Sequence, residues 1–163
     1  MAHQAAVITC SDRASEGVYG DESGPIIQEG LRAAGFEVGD VVLVRDDVDS
    51  IREAIESLVH AGVRVVITTG GTGIAPRDVT VEATLGLLDF EMPGISEEVR
   101  RVGMQKVPTA QMSRAVAGVM TREGNRAFVA NAPGSKGGAK DTITVLGPIL
   151  GHIVAQLDGV KNH

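Results

Sequence analysis

Two aspartates and a run of glycines are the residues here whose types and spacing could do chemistry. In "VVITTGGTGIAPRDVT" (65–80) an apolar run stops at Thr68-Thr69-Gly70-Gly71-Thr72-Gly73, and an acidic turn follows at Pro76-Arg77-Asp78. A short GGTG turn can gather backbone N–H groups into a nest for an anion, with Thr69 and Thr72 as extra donors. The competing reading is a tight strand-to-helix turn that binds nothing. Asp46, in "VRDD", and Asp78 both fall shortly after expected strand ends. On one edge they could converge on Mg²⁺, which takes one or two carboxylates plus substrate phosphates. Each also has a structural alternative: Asp46 or Asp47 as a cap near a helix starting around Ser50, and Asp78 as a cap near Thr80.

Familiar phosphate motifs are excluded. A Walker A loop needs G-x-x-x-x-G-K-[ST], and no lysine occurs between Gly62 and Gln105. The dinucleotide fingerprint fails because its third glycine is missing from the required spacing. His3, His60, His152 and His163 are scattered and make no metal-ligand pattern, and no Ser-His-Asp or Cys-His set is suggested. Arg100 and Arg101 read as a solvated helix face. Cys10, the lone cysteine, rules out an internal disulfide and reads as a small core residue.

The elements that must position these residues follow from the apolar pattern. "AAVITC" (5–10), "FEVGDVVLV" (36–44) and "VRVVITT" (63–69) read as strands. Helices are expected from about Gly24 to Ala34, with Ser23 as cap, and after Ser50, where S-x-x-E to Glu53 is a capping-box pattern. Strand alternating with helix implies a parallel sheet. Further helices are expected over Val81–Leu88 and Ser96–Met104. A strand pair is expected at 113–121 and 125–133, and a closing helix at 140–156, kinked or split at Pro148. No linker or repeat interrupts the chain, so one α/β domain over residues 1–163 is expected. Ligands of parallel sheets bind beyond the carboxyl ends of the strands. That rule selects "CSDRASEGVYGD", "RDDVD", "TGGTGIAPRD" and "NAPGSKGG".

Composition narrows the function classes. Aromatics are only 2% of 163 residues, so Val, Ile, Leu and Ala must fill the core. The 21 glycines, against about 11 at average usage, cluster where strands end and read as turn residues. A net charge of −6 argues against non-specific nucleic-acid binding, which needs a basic surface. No run reaches the ~18 apolar residues of a membrane helix, and the N-terminus has no basic stretch leading into an apolar one. A cytoplasmic protein is the expectation.

The blocks "SDRASEGVYGDESGP", "TTGGTGIAPRDVTVEAT", "EMPGISEEVR" and "NAPGS" together resemble the molybdopterin adenylyltransferases, relatives of the gephyrin G domain. The matches span nearly the whole chain in the family's order. The resemblance implies a three-layer molybdopterin-binding α/β fold with a mostly parallel sheet flanked by helices, a homotrimer, and a nucleotidyltransferase. The implied reaction joins molybdopterin and ATP, with Mg²⁺, to give adenylylated molybdopterin and pyrophosphate. Its two key acidic positions fall on Asp46 and Asp78. Its nucleotide and pterin loop falls on Gly70, Gly71, Thr72 and Gly73, its first loop on Ser11, Asp12, Asp21, Ser23 and Gly24, and its last loop on Pro133, Gly134 and Ser135. The chain departs from the family pattern at Arg45, where proline often precedes the aspartate, and at Lys136-Gly137-Gly138, where proline commonly follows P-G-S. A binding paralogue that does not adenylylate, and a structural trimer or scaffold, are the alternative expectations.

Overall fold

The computed structural model describes residues 2–18 and 20–160. Its centre is one seven-stranded sheet. Strands β1 (Gln4–Cys10), β2 (Glu37–Val38), β3 (Val42–Val44), β4 (Val65–Thr69) and β7 (Asn125–Ala132) run parallel, in the order β2-β1-β4-β7, with β3 also on β1. Strand β6 (Ala117–Arg122) adds antiparallel to β7, and β5 (Phe90–Glu91) antiparallel to β6.

Both faces of this sheet are covered, which explains the apolar runs at the middle of its central strands. Side chains alternate between two cores. Val7, Val65, Ile67 and Phe128 face a core shared with Ile27, Leu31, Leu146 and Leu150. Ile8, Val66 and Val129 face a core shared with Ile51, Ile55 and Val59. The helices that supply these residues are α2 (Ser23–Ala33), α6 (Lys136–Leu146) and α7 (Leu150–Leu157) on the first face, and α3 (Val48–His60) on the second. Helix α4 (Thr80–Leu85) joins the second face, while α5 (Pro93–Met104) packs against α6.

The expected elements are present with instructive differences. "FEVGDVVLV" is not one strand: pairing with β1 breaks across Gly39-Asp40-Val41, leaving β2 and β3. The S-x-x-E box does not start α3. Asp47 is the cap, and its carboxylate accepts from the N–H and hydroxyl of Ser50 at 2.9 and 2.7 Å. Pro148 does divide the closing helix, into α6 and α7. The short helix α1 (Asp12–Ser15), strand β5 and a 3₁₀ turn (Pro108–Met112) have too little apolar periodicity to be read in advance. The strand pair is a hairpin closed by Glu123-Gly124, both with positive φ, a two-residue turn whose twist suits the strands. Val119, in β6, is buried within the chain.

Candidate active site

Parallel pairing brings four strand ends to one edge. Cys10 is in register with Val44, Thr9 with Thr69, and Thr69 with Ala132. The chain leaves β1 for β2 and β3 on one side and returns through β4 on the other, so strand order reverses between β1 and β4. That is the crevice where ligands of such sheets bind, and the loops after β1 and β4 flank it. The four segments selected from the sequence therefore do converge.

The glycine loop follows β4. Gly70 and Gly71 have φ of +97° and +70°, the left-handed region that glycine enters freely. A Cβ on Gly70 would lie 2.5 Å from the Cys10 carbonyl, so the loop crosses the end of β1 in close contact. A Cβ on Gly71 would point at the Thr80 hydroxyl, 2.2 Å away. Gly71 thus serves the packing of the loop onto α4 rather than facing open space.

The carboxylates line up along this loop. Asp46 lies beside Gly71 and Asp78 beside Gly73, their carboxylate oxygens 3.5 and 2.8 Å from where those Cβ atoms would stand. Asp46 does not cap α3, since Asp47 does. Its Oδ2 accepts from the Asp12 N–H at 3.1 Å, and its own N–H donates to Asp12 Oδ1 at 3.0 Å. Asp78 does not cap α4, whose Val79 cap has no side-chain bond. Asp78 accepts from the Ala75 N–H at 3.1 Å and closes the turn that carries it. Both capping alternatives therefore fail for these two residues. Burial pushes the Asp46 carboxyl above its ordinary range; the N–H of Asp12 opposes this, and the negative charges of Asp12 and Asp78 add to it. Arg77 binds Asp12 Oδ2 through Nε and Nη2 at 3.0 and 2.7 Å and, foremost among the causes, holds Asp12 below the ordinary range.

The first loop supplies structure more than open valences. Ser11 caps α1 by accepting from the Ala14 N–H. Ser23 is not a cap: it lies within α2, buried, and the Asp21 carboxylate accepts from the Gly24 N–H at 3.1 Å instead. Thr9 donates to Asp21 at 2.8 Å, and the Thr69 hydroxyl lies 3.1 Å from Ser23 Oγ and 2.9 Å from the Pro133 carbonyl. A Cβ on Gly24 would strike Asp21. Asp21, Ser23, Gly24 and Thr69 thus tie the first, glycine and last loops together. In the last loop Ser135 caps α6 by accepting from the Gly138 N–H at 3.0 Å, and Gly134 packs against Gly70. Among the other sequence candidates, Cys10 is buried and its thiol is pushed up to about 12, first by desolvation, so it is an inert core residue. His163 lies outside the described residues.

On the far side of the glycine loop opens a cleft of about 770 Å³. Thr72, Gly73, Pro133 and Ser135 form one wall; α5, the 3₁₀ turn and α6 form the rest. The site therefore has two parts: carboxylates along the glycine loop, Asp46 after β3 and Asp78 after β4, and a roomy, largely apolar cleft on the β7 side. Two arginines that matter here gave no signal in the sequence. Arg114 donates from Nε to the Gly73 carbonyl at 2.9 Å, from Nη2 to the Asp78 carbonyl at 3.2 Å and from Nη1 to Glu82 at 2.8 Å; its N–H donates to Thr72. It clamps the glycine loop from outside, and only the tertiary fold brings 114 to 73. Arg100, read as a solvated residue, instead donates to the carbonyls of Ser113 and Ala115 and lines the cleft. Arg101 is solvent-exposed and paired with Glu98, as expected of that face.

A mixed sheet with a glycine loop at its switch point, two aspartates along that loop and an adjoining cleft defines an α/β protein with a candidate ligand site at the carboxyl edge of its strands. Residues 6–152 match the family model described as "Probable molybdopterin binding domain", and the chain belongs to that family. It is 39% identical over 152 residues to the molybdopterin adenylyltransferase of Escherichia coli, covering 91% of this chain and 75% of that protein. It is 35% identical over 154 residues to a molybdenum cofactor biosynthesis bifunctional protein of Chlorobaculum tepidum, where it spans 94% of itself and about half, 48%, of the relative. The solved structure of the molybdopterin biosynthesis Mog protein from Mycobacterium ulcerans superposes with a TM-score of 0.87 at 42% identity, over 96% of this chain and 99% of that one. The mostly parallel, helix-flanked sheet expected from the sequence is thus the fold of this family. Among the described residues no helix is long and apolar enough to cross a membrane.

Proposed function

We propose that the protein is a molybdopterin adenylyltransferase, acting in molybdenum cofactor biosynthesis. It would join the terminal phosphate of molybdopterin to the α-phosphorus of ATP and release pyrophosphate. The observation that carries this reading is the placement of Asp46 and Asp78 along one glycine loop, with neither capping the helix that follows it.

The chemistry suits what the site offers. A phosphate oxygen, already anionic at neutral pH, forms the new bond to the α-phosphorus as the bond to the β-phosphate oxygen breaks. No proton need be removed, so the reaction asks no general base of the site. The obstacle is bringing polyanions together, so positioning and charge compensation are the protein's task. Backbone N–H groups of Gly71 to Gly73 are available to cradle phosphate, stiffened by the Arg114 clamp. The tie among Asp21, Ser23, Thr69 and Pro133 fixes the distance between the two halves of the site.

Mg²⁺ fits the donor set in one way. Among the described residues no three or more His, Cys, Asp or Glu gather into a cation cage. Asp46 and Asp78 suit an ion that takes one or two carboxylates and completes its shell from phosphate and water. Asp46, raised by burial and by negative neighbours, is a carboxylate that a cation would relieve. Mg²⁺ held there would supply Lewis-acid compensation of the triphosphate charge. A homotrimer belongs to the same proposal. Exposed Leu85 at the end of α4 and Phe90 in the edge strand β5 are apolar surface that a C3 assembly would cover.

The test is mass spectrometry of the product. Protein, ATP, Mg²⁺ and molybdopterin should yield a species carrying AMP on molybdopterin, with equimolar pyrophosphate. Molybdopterin bound but unchanged would identify a binding protein instead.

A further inference from the structure

The cleft holds a group that adenylyl transfer does not use. Asp141, in the second turn of α6, lines it, yet its side chain is only 8% exposed. A buried carboxylate is costly unless well paired. Its one partner among the described residues is Lys106, whose Nζ donates to Oδ1 at 2.6 Å, and Lys106 is itself 62% exposed. Oδ2 lies against α5 at Gly103, where a Cβ would come within 3.3 Å, and has no hydrogen-bond partner among the described residues. As a strut between α5 and α6, a pair with so exposed a lysine contributes little. That is too little to account for the burial.

The surroundings point to a flat ligand with one polar edge. Around Asp141 and Lys106 the cleft is lined by Val99, Val107, Ala110, Met112 and Ala115. A pterin presents such an edge on its pyrimidine ring: two adjacent donors, the 2-amino group and N3–H, next to one acceptor, O4. A carboxylate offers two acceptors side by side. Each oxygen has two lone pairs, so Oδ1 can keep Lys106 and still accept from the ligand. The ammonium beside it is placed to donate to O4.

We infer that Asp141 and Lys106 read the pyrimidine edge of the pterin, Asp141 accepting from the 2-amino group and N3–H and Lys106 donating to O4. This rests on the pterin substrate of the preceding reading and names the residues that select it. A site built to bond a donor rejects an analogue lacking it far more strongly than an apolar pocket rejects a change of size.

The test compares pterin with lumazine, which carries a 2-oxo group in place of the 2-amino group, by direct fluorescence titration up to millimolar ligand. Wild type should bind pterin at least about tenfold more tightly. Asp141→Asn keeps the volume but offers an amide donor, so the preference should collapse or invert. Lys106→Met should weaken both ligands alike, because both carry O4. A purely structural Asp141 would leave the preference ratio untouched. The wild-type ratio needs no variant, so poor folding of Asp141→Asn would not shield the inference. Equal binding by wild type, no pterin binding at millimolar concentration, or an unchanged ratio in a folded Asp141→Asn would overturn it. Molybdopterin-dependent pyrophosphate release without any preference sinks this inference alone. A preference without pyrophosphate release supports it and sinks only the adenylylation reading.

Discussion

Asp46 and Asp12 hold one another through two reciprocal hydrogen bonds, each backbone N–H donating to the other's carboxylate, at 3.1 and 3.0 Å. The loops after β1 and β3 are thereby locked at one spacing. The two acids are nonetheless pushed in opposite directions: Asp46 upward, first by desolvation, and Asp12 downward, first by its bonds to Arg77.

This opposition gives a pH signature. A carboxyl raised in the folded state costs stability above its folded pKa, and that cost is relieved as pH falls through it. A depressed carboxyl contributes stability above its unfolded pKa, which is lost as pH falls through the folded value. Without added metal, Asp46→Asn should therefore melt at or above the wild-type temperature at pH 7–8. It keeps an oxygen for the Asp12 N–H, and its advantage should shrink on acidification. Asp12→Asn should melt below wild type at neutral pH, with the deficit closing at acid pH. Melting curves in citrate and phosphate buffers check both signs.

Asp47, one residue along, should behave oppositely in both respects. As the cap of α3 it is expected to cost about 1 kcal/mol when changed to alanine, a fall in Tm of about 2–4 °C for a chain of this size. Adenylylation should be unaffected. Thermal melts beside turnover measurements separate it from Asp46.

The cap assignments show what the sequence could and could not carry. The four loops at one edge, the parallel sheet up to β4 and the interruption at Pro148 follow from apolar runs, glycine punctuation and the proline itself. Which of Asp46 and Asp47 caps α3, and which of Asp21 and Ser23 serves α2, depends on side-chain direction over one or two residues. No periodicity encodes that. Arg114, Lys106 and Asp141 act across 41, 35 and 35 positions of chain, contacts that only the folded sheet and helices create.

Gly71 is constrained by both its backbone and its neighbours. A substitution there meets Thr80 and a φ of +70°, so Gly71→Val should not leave the fold intact while blocking ligand. It should lower Tm by several degrees, and Gly71→Ala should do so to a lesser extent. Each backbone strain of this kind costs of order 1–3 kcal/mol. A Gly71→Val protein melting like wild type would show that the loop can turn outward.

Arg114→Lys tests the clamp. Lysine keeps the charge but cannot reach the carbonyls of Gly73 and Asp78 and the Glu82 carboxylate together. The apparent KM for ATP should rise roughly tenfold, about 1.4 kcal/mol, with a smaller loss in kcat. An unchanged KM in steady-state assays would mean that the loop holds its shape unaided.

The most direct test of the account is molybdopterin-dependent pyrophosphate release at saturating ATP and Mg²⁺, for wild type beside Asp46→Asn and Asp78→Asn. Wild type should release pyrophosphate only when molybdopterin is present. Each variant should lose roughly a hundredfold or more, as removal of a charge-stabilising group does elsewhere, without a fall in melting temperature. Pyrophosphate release by Asp78→Asn near the wild-type rate, or none from wild type itself, would contradict the assignment.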